Sequence, residues 1–158
     1  MKNKDLYVAL NNVAVLKGLT GAKFLIALKK ARRDMQNEVD IIESLKTDND
    51  KYNEFLKEQT ELQEKYSVIE NGKPKTETIF DDNKQPIGKK YIIKEDKIDE
   101  FNTKYNKLTK KYEHVLDDYI SALELDTKYN KIKLASRYLP DNISFEQYEI
   151  VDLFLDIV

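Results

Sequence analysis

Apolar side chains at Ile98, Phe101, Tyr105, Leu108, Tyr112, Val115 and Tyr119 follow one another in steps of three and four, with polar or charged residues at most positions between. That spacing draws one narrow stripe on an α-helix, the coiled-coil-like seam of a helix lying against a partner. It predicts a return helix that opens at Glu95-Asp96, acids suited to the positive end of a helix, and runs to Ile120 or Leu125. Upstream, residues 22–66 hold no glycine and no proline. Their apolar face includes Phe24, Leu28, Ala31, Met35, Val39, Ile42, Leu45, Tyr52, Leu56, Leu62 and Tyr66. One long helix is expected there. Its weakest point is Thr47-Asp48-Asn49-Asp50, where poor helix formers and a new N-cap invite a kink or a break. The seam is expected to pack on residues 39–66.

Before the long helix, Leu6, Ala9, Val13 and Leu16 share one face of a short helix over residues 5–16. Gly18-Leu19-Thr20-Gly21 then interrupts it, with Thr20 placed to cap the long helix. Residues 71–93 change character. Asn71-Gly72-Lys73-Pro74 and the stretch from Asp81-Asp82-Asn83 to Gly88 are turn signals. The runs Thr76–Phe80 and Lys89-Lys90-Tyr91-Ile92-Ile93 are rich in β-formers. They predict a β-hairpin, or a loop of hairpin character, at the tip of two helices. Beyond the return helix, Leu123-Glu124-Leu125 and Ile132-Lys133-Leu134 alternate like short extended pieces. Ser144 and Gln147 have the spacing of a capping box for a last helix over residues 145–158, whose apolar residues must be buried. The fold class is thus mainly α: a long antiparallel helical hairpin, a β-hairpin or loop at its tip, and a small C-terminal helical cap. A single domain over residues 1–158 is expected, divided at 1–70, 71–94, 95–125 and 126–158.

Charge adds an asymmetry that the net value of −2 hides. Lys2, Lys4, Lys17, Lys23, Lys29, Lys30, Arg32 and Arg33 face a single acid, Asp5, in the first 33 residues. Residues 139–158 carry acids and neither lysine nor arginine, so head and tail could attract each other within one fold or between copies. Cysteine is absent, which removes disulfides, thiolate metal sites and cysteine nucleophiles. No secretory signal is convincing and no apolar run approaches the roughly 18 residues that span a bilayer. The sequence reads as soluble and cytoplasmic, in a bacterial host cell or associated with a virion, without a membrane partner.

Candidate chemistry is sparse. His114 is the one histidine, readable as a base or a metal ligand or as a flank residue of a solvated helix, and the missing cysteines leave a zinc site short of ligands. Paired acids such as Asp117-Asp118 stand among lysines as intrahelical ion pairs do, and Asp48-Asn49-Asp50 lacks the glycine and terminal glutamate of a calcium loop. Gly18 to Lys23 lacks the spacing of a phosphate-binding loop. No catalytic residue, cofactor or metal site is expected, and the chain reads as non-enzymatic. Two binding surfaces stand out. A protein partner would be met by Lys75, Ile79, Phe80, Lys89, Lys90, Tyr91 and Ile92, apolar anchors within a charged rim on the predicted tip. A basic face of Lys23, Lys29, Lys30, Arg32 and Arg33 could meet nucleic acid, although the chain as a whole is acidic, with pI ≈ 5.6.

The stretch NKDLYVALNNVAVLKGLTGAKFLIALKKARR, a long charged helix, the turn ENGKP, a DEF opening the next helix and the tail ALELDTKYNKIKLASRYLPDNISFEQYEIVDLFLDIV resemble a family of small helical proteins of tailed phages and prophages of Gram-positive bacteria. The resemblance covers nearly the whole chain and brings no catalytic residues with it. It implies a phage-encoded protein acting late in infection or in host takeover. On that footing the partner is a phage structural protein, in an accessory role in virion or tail assembly. The alternative is a host effector, in an anti-defence role as inhibitor of a defence system or of a nucleic-acid enzyme. Self-association and nucleic-acid binding are the remaining options.

Overall fold

The helix expected over residues 22–66 is two helices. In the computed structural model, which describes residues 1–81 and 84–158, α1 spans Asn3–Asn11, α2 Ala22–Thr47 and α3 Asp50–Tyr66. The break falls at the weak point. Asp48 closes α2, and Asn49 turns to extended backbone (φ −87°, ψ 105°). The Asn49 side-chain oxygen accepts the Tyr52 N–H at 3.1 Å, capping α3.

The return helix is also divided, into α4 (Ile98–Lys111) and α5 (Asp117–Glu124). At Tyr112 the N–H is shared between the Leu108 and Thr109 carbonyls at 3.3 Å each. Asn49 Nδ2 then donates to the Val115 carbonyl at 2.9 Å, taking an acceptor that a continuing helix would offer four residues on. The seam is therefore not one stripe on one rod. Ile98 to Tyr112 belong to α4 and its C-cap, and Tyr119 belongs to α5.

Two compact units result, Met1–Asp48 with Asp117–Val158 and Asn49–Leu116. The first is the better filled. Leu6, Ala9, Phe24, Ala31, Met35, Val151, Phe154 and Leu155 are fully or almost fully buried in one cluster, drawn from α1, α2 and the C-terminal segment. Capping proceeds as the sequence predicts at Ser144, whose Oγ accepts the Gln147 N–H while its own N–H donates to Gln147 Oε1, both at 3.1 Å. The helix so begun, α6, stops at Phe154 rather than at Val158. Backbone pairing wins over helix continuation: Leu155–Ile157 run parallel to Ile132–Leu134, and the Val158 N–H reaches the Leu134 carbonyl at 3.0 Å.

Further expectations change. Leu123 and Glu124 end α5 rather than forming an extended piece. α1 stops at Asn11, and residues 13–16 form a 3-10 turn, because Asn12 Nδ2 returns to the Val8 carbonyl at 2.8 Å. Gly21, not Thr20, stands at the start of α2, with φ +110° that an L side chain rarely adopts. Lys2 and Lys4 of the basic head lie 3.2 and 2.9 Å from the Glu124 carboxylate.

In the second unit, contacts step in opposite directions along α3 and α4. Tyr66 meets Phe101 with ring centroids 6.0 Å apart, Gln59 donates to the Tyr105 hydroxyl at 2.8 Å, and Phe55 meets Tyr112 at 5.4 Å. Leu108 is buried between them. Two hairpins join these helices. Ile69–Glu70 (β1) pairs with Lys73–Pro74 (β2) across Asn71 and Gly72, both at positive φ, the geometry of a tight type I′ loop. Thr76–Phe80 (β3) pairs antiparallel with Pro86–Tyr91 (β4), with a bulge beside Ile79/Phe80. The predicted second turn is seen in part: Asp81 Oδ1 accepts the Gln85 N–H at 2.8 Å, and Asp82 and Asn83 lie outside the described residues. The parallel pair of the first unit completes the strands, as β5 (Ile132–Leu134) and β6 (Leu155–Ile157). Among the described residues no helix is long and apolar enough to cross a membrane.

Candidate functional site

A short two-stranded ladder holds its shape only if something pins it. Here the pin is a closed ring of backbone hydrogen bonds at the base. Val68 N–H donates to the Ile92 carbonyl at 2.7 Å, Ile92 N–H to Lys75 at 3.0 Å, and Lys75 N–H to Val68 at 2.7 Å. Lys94 N–H donates to the Tyr66 carbonyl at 3.0 Å, tying the same junction to the end of α3.

Above that junction the hairpin is exposed on both faces. Alternation along the strands places Thr76, Thr78 and Phe80 on one face with Lys89 and Tyr91, and Glu77 and Ile79 on the other with Lys90. Phe80 is 58% exposed, Ile87 64% and Ile79 42%. Exposed apolar residues occur elsewhere too, Phe145 at 79% and Ile41 at 63% among them, so what sets the hairpin's apart is the pinned ladder that carries them.

The seven partner-binding candidates divide accordingly. Ile79, Phe80, Lys89 and Lys90 stand exposed on the ladder. Tyr91 and Ile92 are half-buried at its base, lining a groove of about 410 Å³ with Glu77, Ile98 and Phe101. The Tyr91 hydroxyl donates to Glu64 at 3.4 Å. Lys75 turns instead to Glu70, at 3.0 Å, and contributes to the junction rather than the tip. Ile87 escaped the sequence reading because it sits between Pro86 and Gly88, inside what reads as a turn; its apolar character beside those breakers was the available signal.

The basic face is smaller than the sequence suggests. Lys29, Lys30 and Arg33 line a broad groove with Ile26, which is 68% exposed. Arg33 already lies 3.2 Å from Asp34. Arg32 is exposed beside it. Lys23 leaves the group: its Nζ donates to the Tyr138 hydroxyl at 2.9 Å and lies 4.2 Å from the ring centre, with the Arg137 guanidinium over the same ring at 5.0 Å. The Lys23 hydrogen bond, then that from Arg137, lowers the Tyr138 hydroxyl below its ordinary range.

Two carboxylates gather tyrosines in a way that resembles a site. Glu43 accepts from Tyr7 at 2.9 Å and from Tyr119 at 2.8 Å, and Lys46 lies 2.6 Å away. Lys46 chiefly holds Glu43 below the usual carboxylate range, and burial, then Glu43, pushes the Tyr7 hydroxyl up. The arrangement ties α1, α2 and α5 together. In the second unit Tyr66 donates to Glu100 at 2.5 Å and Lys104 to the Tyr66 hydroxyl at 2.7 Å. Tyr66 and then Lys104 bring the Glu100 carboxyl down to about 2. In both, the acid's partners are the chain's own tyrosines and lysines, the pattern of helix ties. His114 is 78% exposed beside Glu113 at 3.4 Å, and among the described residues no group of three or more His, Asp or Glu side chains is placed to hold a metal ion. Set against protein-family models, curated proteins and solved structures, the chain matches none.

Proposed function

We propose that this chain is a non-enzymatic interaction protein that meets a protein partner through the β3–β4 hairpin, with the α3–α4 pair as its stem. One observation carries the reading: Phe80, Ile87 and Ile79 stand in water on a ladder whose base is fixed by the Val68–Ile92–Lys75 ring of hydrogen bonds. Loops and tips held on a rigid scaffold commonly bind, and Lys84, Lys89 and Lys90 supply the polar rim that surrounds the anchors of many interfaces. The phage setting implied by the resemblance makes the partner a structural protein of the virion or tail, or, in the inhibitor reading, a host effector. Removing residues 76–90 and closing the chain with a short Gly-Ser turn tests it. Helix content by circular dichroism is expected to stay, while capture of phage structural proteins or of a host effector from infected-cell lysate is lost. Capture at native strength by the shortened chain overturns the reading.

The second reading is nucleic-acid binding through Lys29, Lys30 and Arg33. The exposed Ile26 among these cations favours it, since phosphate contacts and an apolar anchor then share one helical face. Binding of this kind weakens steeply with salt, and Lys29→Glu with Lys30→Glu is expected to abolish it.

A further inference from the structure

The hairpin has two edges, and they are not alike. Ile92 N–H donates to the Lys75 carbonyl at one end of the ladder, and Asp81 N–H to the Gln85 carbonyl at the other. Hydrogen-bonded and non-hydrogen-bonded pairs alternate in an antiparallel ladder. The pairs Thr76–Tyr91, Thr78–Lys89 and Phe80–Pro86 are therefore the non-hydrogen-bonded ones. The backbone N–H and C=O groups of Thr76, Thr78 and Phe80 point away from β4, along a β3 edge on which no further strand lies among the described residues.

The β4 edge carries the devices that block strand addition. Pro86 has no N–H to offer, the bulge disturbs the spacing beside it, and Lys89 and Lys90 would oppose the lysines of a second β4. From Thr76 to Phe80 the β3 edge holds no proline and no lysine, and its one charge is Glu77. We infer that β3 pairs antiparallel with β3 of a second copy of this chain, an inference that rests on reading the hairpin as a contact surface and names one of its occupants.

Charge selects the register. Pairing centred on Glu77 sets two glutamates directly opposite each other, and pairing centred on Ile79 sets Glu77 opposite Asp81. Like charges in those positions destabilise a ladder. Centring on Thr78 avoids both. Glu77 then faces Ile79 of the other copy, and Phe80 faces Thr76 with Tyr91 one strand further on the same face. Two marginal hairpins become one four-stranded sheet, the size at which a sheet with an apolar face holds itself. The exposed Phe80 gains cross-strand cover in doing so.

Sedimentation equilibrium of the full chain tests the pairing. A concentration-dependent mass rising toward twice 18.6 kDa is expected. Thr78→Pro, which removes an outward N–H from the β3 edge, is expected to weaken the dimer about tenfold or more. Lys89→Pro makes the same change on the β4 edge and is expected to leave the dimer intact, so a general loss of the hairpin is told apart from loss of the pairing. Because the chain has no cysteine, Thr78→Cys is expected to give a disulfide-linked dimer on mild oxidation, and Lys89→Cys is not. A wild-type chain that stays monomeric at its highest soluble concentration overturns the inference, as do equal losses in the two proline variants or equal cross-linking of the two cysteine variants. A monomeric wild type that still needs its hairpin to capture a different protein overturns the dimer alone and leaves the contact-surface reading standing.

Discussion

At the scale of single residues, polar groups account for much of what holds the helices together, and each makes a definite claim. Tyr129 donates its hydroxyl to the buried Phe154 carbonyl, and burial pushes that hydroxyl up to about 12. Tyr129→Phe leaves the carbonyl without its partner at the end of α6 and is expected to cost about 1–2 kcal/mol in chemical denaturation. Glu100 gives a pH signature instead. A carboxyl held below its ordinary value of 4.5 stabilises the fold fully above that value, and the contribution drains as the pH falls from about 4.5 toward 2. Thermal melting is expected to drop through that window, and Glu100→Gln is expected to flatten the drop. An unchanged acid limb in the variant would show that Tyr66 and Lys104 do not favour the charged form as their positions imply. Leu108, buried between α3 and α4, is expected to lose about 3 kcal/mol or more on change to Asp, because its apolar packing is lost and a carboxylate must be desolvated in its place. Unchanged melting would show that this part of the seam faces solvent.

Elements show where local signals suffice and where they fail. The capping box at Ser144, the Asn71-Gly72 turn and the β3–β4 pairing are all written in adjacent residues, and the structure contains each. The seam likewise names the residues that α4 turns toward α3. What could not be read locally was settled by partners distant in sequence. The end of α6 is set by the pairing of β6 with β5, more than twenty residues away. The break after Lys111 depends on Asn49, whose amide takes the Val115 carbonyl from across the unit. Asn49 therefore does two jobs, capping α3 through its oxygen and holding the turn through its nitrogen. Asn49→Ala is expected to cost about 1–2 kcal/mol, and Asn49→Asp, which keeps the cap and removes the amide donor, about half of that. Equal losses in equilibrium unfolding would show that the Val115 contact contributes nothing. At the candidate site the same division holds: Ile79 and Phe80 were legible as β-formers outside any helical stripe, whereas the turning of Lys75 to Glu70 and of Lys23 to Tyr138 depends on neighbours that the sequence pattern does not bring together.

For the molecule as a whole, the first unit is organised around a well-filled core and the second around aromatic contacts and charged ties along α3 and α4. The second unit also carries the hairpin, whose exposed Ile79, Phe80 and Ile87 stand at the end remote from Leu108. On the proposed reading this end, and not the basic face of α2, is the contact surface. The direct measurement is quantitative partner capture by three chains side by side: wild type, Phe80→Asp with Ile87→Asp, and Lys29→Glu with Lys30→Glu and Arg33→Glu. All the changed residues are exposed, so each variant is expected to melt close to wild type. At least about a tenfold loss of affinity is expected for the hairpin variant, with wild-type affinity for the α2 variant. Native affinity in the hairpin variant together with loss in the α2 variant would overturn that reading and move the site to Lys29, Lys30 and Arg33.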